Sequence, residues 1–349
     1  MTVVADSVAT RVVRWQVEHG RSHLPWQQTR DPYRVWLSEI MLQQTQVVTV
    51  LDYYARFLAR FPDVSALASA SLDEVLGLWS GLGYYSRARN LHRCAQRVVA
   101  EYGGLFPGTV ALLADLPGIG RSTAGAIAAF CFSQRAPILD ANVRRVLTRL
   151  LGFDADLSVA KNERALWDHA ESLLPVDELS VSMPRYTQGM MDLGATLCVP
   201  KNPQCLICPL MDLCAAQKSG EPEKYPVKTR KLSRRSESWW LLVVLRDDGA
   251  VWLETRPPKG IWAGLQCVPA FSDCDALWAL ASSLSSVDRT REVDAFLHVL
   301  THRDLHLHPV VAQVPTGSRP NGDGQWLTKE QWSKTGLPAP IRKMLDALV

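Results

Sequence analysis

Long hydrophobic runs are missing from this sequence of 349 residues. The longest apolar stretches are residues 124–132, which include one glycine, and residues 239–245, whereas a helix that spans a membrane needs about 20 apolar residues. Residues 1–13 also lack the layout of a signal peptide, because Asp6 precedes any apolar block. We therefore expect a soluble, cytoplasmic protein.

A large excess of one charge is missing as well. Lys and Arg number 38 against 35 Asp and Glu, so the net charge is only +3. Any basic surface must therefore be local, and the total charge alone does not indicate a nucleic-acid partner. The charged fraction of 21%, with 21 Gly and 21 Pro, excludes a disordered, collagen-like or coiled-coil chain. The length predicts two domains at roughly 100–200 residues per domain.

The hydrophobic pattern changes along the chain. Apolar residues recur at helical spacing between residues 32 and 174, and short apolar runs typical of strands follow residue 238. A polar stretch between them carries five closely spaced cations: Lys228, Arg230, Lys231, Arg234 and Arg235. We therefore predict a mainly α N-terminal region at residues 1–220, a basic linker at 221–236 and an α+β C-terminal domain at 237–349.

The eight cysteines are unevenly distributed, with four in a short segment: Cys198, Cys205, Cys208 and Cys214. In a reducing compartment such a group binds metal more often than it forms disulfides. Four thiolates are suitable ligands for either Zn²⁺ or a [4Fe–4S] cluster, and the residue types alone leave both open.

A glycine-containing turn precedes a helix of small residues in the sequence Leu116-Pro117-Gly118-Ile119-Gly120-Arg121-Ser122. The free backbone N–H groups at the start of such a helix suit a phosphate. The alternative is an ordinary turn between two helices, and the turn by itself does not decide between them.

Two acidic residues, Asp140 and Glu39, lie next to apolar segments of the sequence. Asp140 follows an apolar approach and precedes a helix, which is typical of an N-cap residue. Glu39 is surrounded by apolar residues on a predicted helix, so burial should raise its pKa and let it act as a general acid. The alternative for Glu39 is a structural salt bridge to Arg34 or Arg144.

These segments resemble a known family. The glycine turn resembles the helix-hairpin-helix of DNA-repair glycosylases, which holds a backbone phosphate and often a monovalent cation. The spacing of the four cysteines resembles the iron–sulfur loop of the endonuclease III-like glycosylases, which implies a [4Fe–4S] cluster. Two further segments resemble the adenine DNA glycosylases, the MutY family: Trp36-Leu37-Ser38-Glu39-Ile40-Met41-Leu42-Gln43-Gln44 and Gly81-Leu82-Gly83-Tyr84-Tyr85-Ser86-Arg87-Ala88-Arg89.

The resemblance implies a role for each matching residue. It makes Glu39 the acid that protonates adenine and helps to activate water, and Asp140 the carboxylate that stabilises the oxocarbenium-like sugar, with Asn142 beside it. It places Gln44 and Tyr84 in the duplex as filling or wedging residues. These enzymes act on a base that has been extruded from the stack.

The residue at the start of the hairpin's second helix separates two subfamilies. Relatives that also cleave the strand carry a lysine there, whose amine forms a Schiff base with the opened sugar. This chain has Ser122, so the resemblance implies a monofunctional glycosylase that leaves an abasic site. Gly118, Gly120, Ser122 and Arg89 are the remaining predicted DNA contacts, although a stripe of arginines that includes Arg89 is equally typical of a solvated helix face.

The C-terminal domain resembles the Nudix-like domain with which the family reads 8-oxoguanine. Leu300, Thr301 and His302 stand where the family has its recognition triplet, with the aromatic residue missing. No run of glutamates suited to Mg²⁺ is present, so we predict no pyrophosphatase activity. His306 and His308 alternate with leucines, and we expect them on the solvent face of a strand rather than on a metal.

We therefore expect a monomeric enzyme that removes adenine opposite 8-oxoguanine or guanine from double-stranded DNA. One rival is a pyrimidine-specific glycosylase-lyase of the endonuclease III kind, against which Ser122 counts. The other is a non-catalytic iron–sulfur DNA-binding or redox protein, against which the pair Glu39 and Asp140 counts.

Overall fold

The computed structural model describes residues 7–229 and 233–349. These residues form two compact units, the first from residues 7–50, 60–68 and 93–229 and the second from residues 51–59, 69–92 and 233–349. Arg230 and Lys231 of the predicted basic linker lie outside the described residues. The linker and domain limits stay predictions.

The described residues contain fifteen α-helices and eight strands. The helices are α1 (Val8–His19), α2 (Pro32–Met41), α3 (Val47–Arg60), α4 (Val64–Ser69), α5 (Leu72–Trp79), α6 (Ser86–Tyr102), α7 (Val110–Ala114), α8 (Arg121–Phe132), α9 (Ala141–Leu151), α10 (Ala160–Ser172), α11 (Leu179–Thr196), α12 (Ala215–Lys218), α13 (Cys274–Leu284), α14 (Lys329–Trp332) and α15 (Ala339–Leu348). The strands are β1 (Arg235–Arg246), β2 (Val251–Thr255), β3 (Gln266–Cys267), β4 (Ala270–Phe271), β5 (Thr290–Glu292), β6 (Phe296–Val299), β7 (Arg303–Val314) and β8 (Gly324–Leu327).

Helix α11 is central to the first unit and packs against α1, α8 and α9. Two glycines allow close approach: a Cβ at Gly189 would lie 2.7 Å from the Val12 side chain, and one at Gly194 would lie 2.6 Å from the Asn142 Cβ. On α9 the buried apolar residues recur every three or four positions, so one face of the helix enters the core. The first turn of α9 is thereby held directly against α11.

The second unit contains a sheet with the strand order β3-β2-β1-β7-β5, with β4, β6 and β8 paired outside this path. Its two longest strands, β1 and β7, run parallel from Arg235 opposite Arg303 to Arg246 opposite Val314. Residues 241–244 of β1 are all buried, which is typical of a parallel strand covered on both faces. Helix α13 packs against β1 and β7.

The predicted order of a mainly helical N-terminal region and an α+β C-terminal region is confirmed. The predicted strands fall in β1, β2, β6 and β7. His306 is exposed as expected, whereas His308 is half-buried and stacks on Trp240 with ring centroids 5.1 Å apart. Within residues 7–229 and 233–349, no helix has the length and apolar content needed to cross a membrane.

Candidate active site

Helix α2 delivers Glu39 to the wall of a cavity. The helix begins after Asp31, whose side chain accepts a hydrogen bond from Tyr33 N at 2.8 Å, with Pro32 in its first turn. The residues on both sides of Glu39, Ser38 and Ile40, are buried. The Glu39 side chain lines a cavity of about 330 Å³ in the first unit.

Burial raises the pKa of Glu39 to about 8, and the negative charge of Asp140 contributes to the same rise. Within the described part of the chain Glu39 has no salt-bridge partner: Arg34 pairs with Asp31 and Arg144 pairs with Glu163. The alternative that Glu39 forms a structural salt bridge with Arg34 or Arg144 is therefore wrong. A carboxyl group with this pKa is largely protonated at neutral pH and can donate its proton.

Asp140 is the N-cap of α9, because its Oδ1 accepts a hydrogen bond from Val143 N at 2.7 Å. Burial raises its pKa, while hydrogen bonds from the backbone of Val143 and Asn142 and the charges of Arg145 and Arg144 oppose that rise. The N-cap interpretation is thus confirmed. It does not compete with a catalytic role, since a capped carboxylate keeps acceptor capacity.

Asn142 stands in the first turn of α9, where Arg145 fixes its side chain. Arg145 Nη2 donates to Asn142 Oδ1 at 2.8 Å and to the Gly194 carbonyl at 2.6 Å, and Arg145 Nε donates to the Cys198 carbonyl at 2.7 Å. One side chain therefore joins the start of α9, the end of α11 and the first cysteine of the cysteine-rich loop.

The hairpin consists of α7, the turn at residues 115–120 and α8. Gly118 has a left-handed backbone with φ of 79°, a conformation that favours glycine. Gly120 caps α8 without a side chain, which leaves the first N–H groups accessible. Ser122 Oγ accepts a hydrogen bond from Leu139 N at 3.0 Å, so this hydroxyl holds the segment that leads into Asp140.

The four clustered cysteines line one small cavity of about 30 Å³. Arg149 Nη1 donates to Cys198 Sγ at 3.3 Å and to the Val199 carbonyl at 2.8 Å, and its Nη2 donates to the Pro200 carbonyl at 3.0 Å. Among the described residues, no three His, Cys, Asp or Glu side chains are placed to share a single metal ion. Four thiols around a common space, with a buried guanidinium beside them, fit an iron–sulfur cluster.

Gln44 and Tyr84 both lie at the surface with left-handed backbones, φ 57° and 49°. Tyr84 belongs to the second unit, where its hydroxyl is hydrogen-bonded to the Thr301 hydroxyl. Arg87 lies over the Tyr84 ring, 5.4 Å from its centroid. The roles of Gln44 and Tyr84 in the duplex stay predictions.

The predicted recognition residues surround a groove of about 590 Å³ in the second unit. Thr301 and His302 are exposed at the tip between β6 and β7, next to the half-buried Leu300. Arg89, predicted to contact DNA, donates to the Ala263 carbonyl at 2.6 Å. Its role on phosphate stays a prediction.

Sequence reasoning missed several residues of the cavity in the first unit. Trp26, Gln27, Arg185 and Gln188 line it together with Glu39. One signal in the sequence could have pointed to Gln188. Gln188 and Asp192 are four residues apart on α11, a spacing at which Gln and Asp side chains form hydrogen bonds on a helix.

Three family models match the chain. Residues 37–172 match the HhH-GPD superfamily base excision DNA repair protein, residues 198–214 the iron–sulfur binding domain of endonuclease III, and residues 240–347 a NUDIX domain. The loop of residues 198–214 is therefore an endonuclease III-type [4Fe–4S] motif. Of the two ligands that the four cysteines left open, this match favours the iron–sulfur cluster over Zn²⁺. The matches to the base excision repair family and to the iron–sulfur domain of endonuclease III indicate that the chain is a DNA glycosylase of the base excision repair class.

Similar proteins narrow this class. The chain is 38% identical to an adenine DNA glycosylase of Buchnera aphidicola, over 96% of this chain and 95% of that protein. It is 34% identical to the adenine DNA glycosylase of Mus musculus, over 98% and 78%. A solved thermostable thymine-DNA glycosylase matches with TM-score 0.54 and 29% identity, over 60% of this chain and 95% of that one. The chain belongs to the adenine DNA glycosylase family.

Proposed function

We propose that this enzyme hydrolyses the N-glycosidic bond of adenine mispaired with 8-oxoguanine or guanine in duplex DNA and leaves an abasic site. The observation that carries the proposal is the position of Glu39 on the wall of a cavity of about 330 Å³, where burial and the negative charge of Asp140 raise its pKa to about 8. Two carboxylates in different environments are the usual arrangement for splitting a glycosidic bond, one as acid and one beside the sugar.

The cavity suits an extruded base. Trp26 is a wall residue that gives the base an aromatic surface, and the amides of Gln27 and Gln188 give it polar partners. Extrusion brings the base out of the stack into such a pocket. Glu39 then donates its proton to a ring nitrogen of adenine, which makes the base a better leaving group as the bond to the sugar breaks.

Asp140 acts on the sugar. As the base departs, positive charge develops on the ring carbon and oxygen, and a carboxylate placed beside it stabilises that charge. Once it has lost its proton, Glu39 can accept one from the attacking water. Ser122 offers no amine, and its hydroxyl is engaged with Leu139 N, so no Schiff base follows and the strand stays intact.

Recognition of the opposite base is assigned to the groove in the second unit. The hydroxyls of Tyr84 and Thr301 meet there, and Trp262, His298 and His302 add aromatic and polar surface. We assign DNA backbone contacts to the hairpin at Gly118 and Gly120, with a monovalent cation as a further ligand of the same turn. The four cysteines would hold the [4Fe–4S] cluster. The loop that contains them supports DNA binding and takes no part in the reaction. A monomeric state and a cytoplasmic location belong to the same proposal.

The test uses a duplex with one adenine opposite 8-oxoguanine. Strand breaks are scored with and without hot alkali for the wild type, Glu39→Gln and Asp140→Asn, with Glu171→Gln and Asp168→Asn on exposed positions of α10 as matched controls. Breaks only after alkali, lost in the first two variants and kept in the controls, support the proposal. Breaks without alkali would favour a lyase, and bound but intact duplex would favour a binding protein.

A further inference from the structure

The turn between β6 and β7 is fastened by two residues at the start of β1. Its first carbonyl, that of Leu300, accepts a hydrogen bond from Arg234 Nη2 at 3.1 Å. Its last carbonyl, that of His302, accepts one from the Arg235 backbone N–H at 3.1 Å. Thr301 lies between these two carbonyls, so both ends of the short segment that carries its side chain are held.

Arg234 holds the β6–β7 turn with its side chain, whereas Arg235 uses its backbone. The Nη2 atom that reaches the Leu300 carbonyl also donates to the Asp304 carboxylate in β7, so one guanidinium joins both sides of the turn. The exposed side chain of Arg235 forms no hydrogen bond or ion pair with any residue that the structure describes. An exposed ion pair contributes little to stability, so the use of Arg234 lies in the shape that it gives to the turn.

The β6–β7 turn lines the groove of about 590 Å³ in the second unit. There the Thr301 hydroxyl is hydrogen-bonded to the Tyr84 hydroxyl, and His302 lies beside them in the lining. Hydrogen bonds weaken steeply as their distance and angle depart from the ideal values. A polar contact from this turn to a ligand therefore depends on the residues that hold its backbone in place.

We infer that Arg234 is a positioning residue for the reading of the base opposite adenine, so that the end of the predicted basic linker contributes to specificity. The inference rests on the proposed recognition of 8-oxoguanine in this groove. Without the guanidinium, the Leu300 carbonyl turns to water and the β6–β7 turn gains freedom, which must be lost again when the base is bound. A cation that only contacts phosphate, in contrast, carries no information about the base.

The experiment pairs two neighbouring cations that differ in this contact. Arg234→Met and Arg235→Met each remove one positive charge and introduce an unbranched side chain that donates no hydrogen bond. Single-turnover excision is measured at subsaturating enzyme for adenine opposite 8-oxoguanine and opposite guanine, and the ratio of the two rates is the preference. We expect Arg234→Met to lower the preference by about threefold to tenfold and Arg235→Met to keep it. Arg234→Lys should restore most of it, because one ammonium group can donate to both acceptors that Nη2 reaches.

A second measurement does not depend on catalysis. Hydrogen exchange of residues 296–303 in the free protein should be faster in Arg234→Met than in the wild type, because local opening of the β6–β7 turn governs this exchange. It should stay unchanged in Arg235→Met, which keeps the backbone N–H that reaches the His302 carbonyl. Thermal melting checks that both variants are folded.

Equal slowing on both duplexes in both variants, with the preference unchanged, would mean that Arg234 acts on phosphate alone and would overturn the inference. Unchanged exchange in Arg234→Met would overturn it as well. A wild type that excises adenine equally well opposite 8-oxoguanine and guanine would refute the proposed recognition. A wild-type preference that survives in Arg234→Met would refute this inference alone.

Discussion

At the scale of single residues, the carboxyl groups of Glu39 and Asp140 hold their protons differently. Desolvation acts on both, but for Glu39 the charge of Asp140 adds to the effect. For Asp140, hydrogen bonds from two backbone N–H groups and two nearby arginines oppose it. Environments that shift two carboxyl pKa values differently suit one group to act as an acid and the other to stabilise charge. In the proposed mechanism these groups are Glu39 and Asp140.

The pKa of Glu39 predicts a dependence of both rate and stability on pH. Its proton is lost as the pH rises through about 8, so the single-turnover excision rate of the wild type should fall above that pH. In the unfolded chain the side chain ionises near the ordinary glutamate pKa of 4.5. The stability that the protonated buried form contributes is thus full below about pH 4.5 and is lost as the pH rises through about 8.

Glu39→Gln is the control for the stability part, because glutamine has no proton to lose. Between pH 5 and 8 the free energy of unfolding of the wild type should fall, relative to that of Glu39→Gln, by up to about 1.4 kcal/mol per pH unit. Denaturant titrations at several pH values measure the difference. A constant difference across this range would show that Glu39 is not desolvated as described.

Asp140 combines a cap with its proposed role, and two substitutions separate them. Asparagine caps a helix as well as aspartate does, so Asp140→Asn should change the free energy of unfolding by less than about 0.5 kcal/mol. Asp140→Ala removes the bond to Val143 N and should cost about 1 kcal/mol. Excision should fall by at least about a hundredfold in both. Retained excision in Asp140→Asn would limit the residue to capping.

At the scale of elements, the contact between α9 and α11 sets the position of the site. A Cβ at Gly194 would lie 2.6 Å from Asn142 Cβ and 3.0 Å from its backbone. Gly194→Ala should therefore push the first turn of α9 away, destabilise the protein by about 1–3 kcal/mol and slow excision. Thermal melting and single-turnover rates measure the two effects.

Gly108→Ala is the matched control, since a Cβ there meets its nearest atom, on Phe132, at an ordinary 3.4 Å. It should change neither stability nor rate by much. If Gly194→Ala loses stability but keeps the excision rate of the wild type, then α9 adjusts without displacing Asp140, and the contact has only a packing role.

The sequence predicted the elements whose signal is local. Glu39 lies in a continuous apolar stretch that predicts a helix, and Asp140 lies at a predicted helix start. The four cysteines are recognised by their spacing. The structure places each of these residues on the expected element. The Arg21–Asp192 pair could not be predicted in this way, because its partners are 171 residues apart. Only the folded chain shows that Arg21 Nε and Gln188 Nε2 both donate to Asp192 Oδ1, at 2.8 Å and 2.9 Å.

At the scale of the whole molecule, the two units carry different parts of the proposed function. Glu39 and Asp140 belong to the first unit, whereas Tyr84 and Thr301 belong to the second. The second unit thus includes residues 51–59 and 69–92 of the helical region as well as the Nudix-like sheet. Excision and recognition of the opposite base should therefore respond to different substitutions, although both act on one duplex.

Thr301→Val tests this division, because it keeps the shape of the side chain and removes the hydroxyl that bonds Tyr84. The preference for 8-oxoguanine over guanine opposite adenine should fall by about threefold to tenfold, since one hydrogen bond in a recognition groove is lost. The excision rate at saturating enzyme from adenine opposite guanine should not change. Thr316→Val, at an exposed position of the same unit, should alter neither quantity. An equal loss on both duplexes in Thr301→Val would mean that the groove supports the chemistry as a whole and does not read the opposite base.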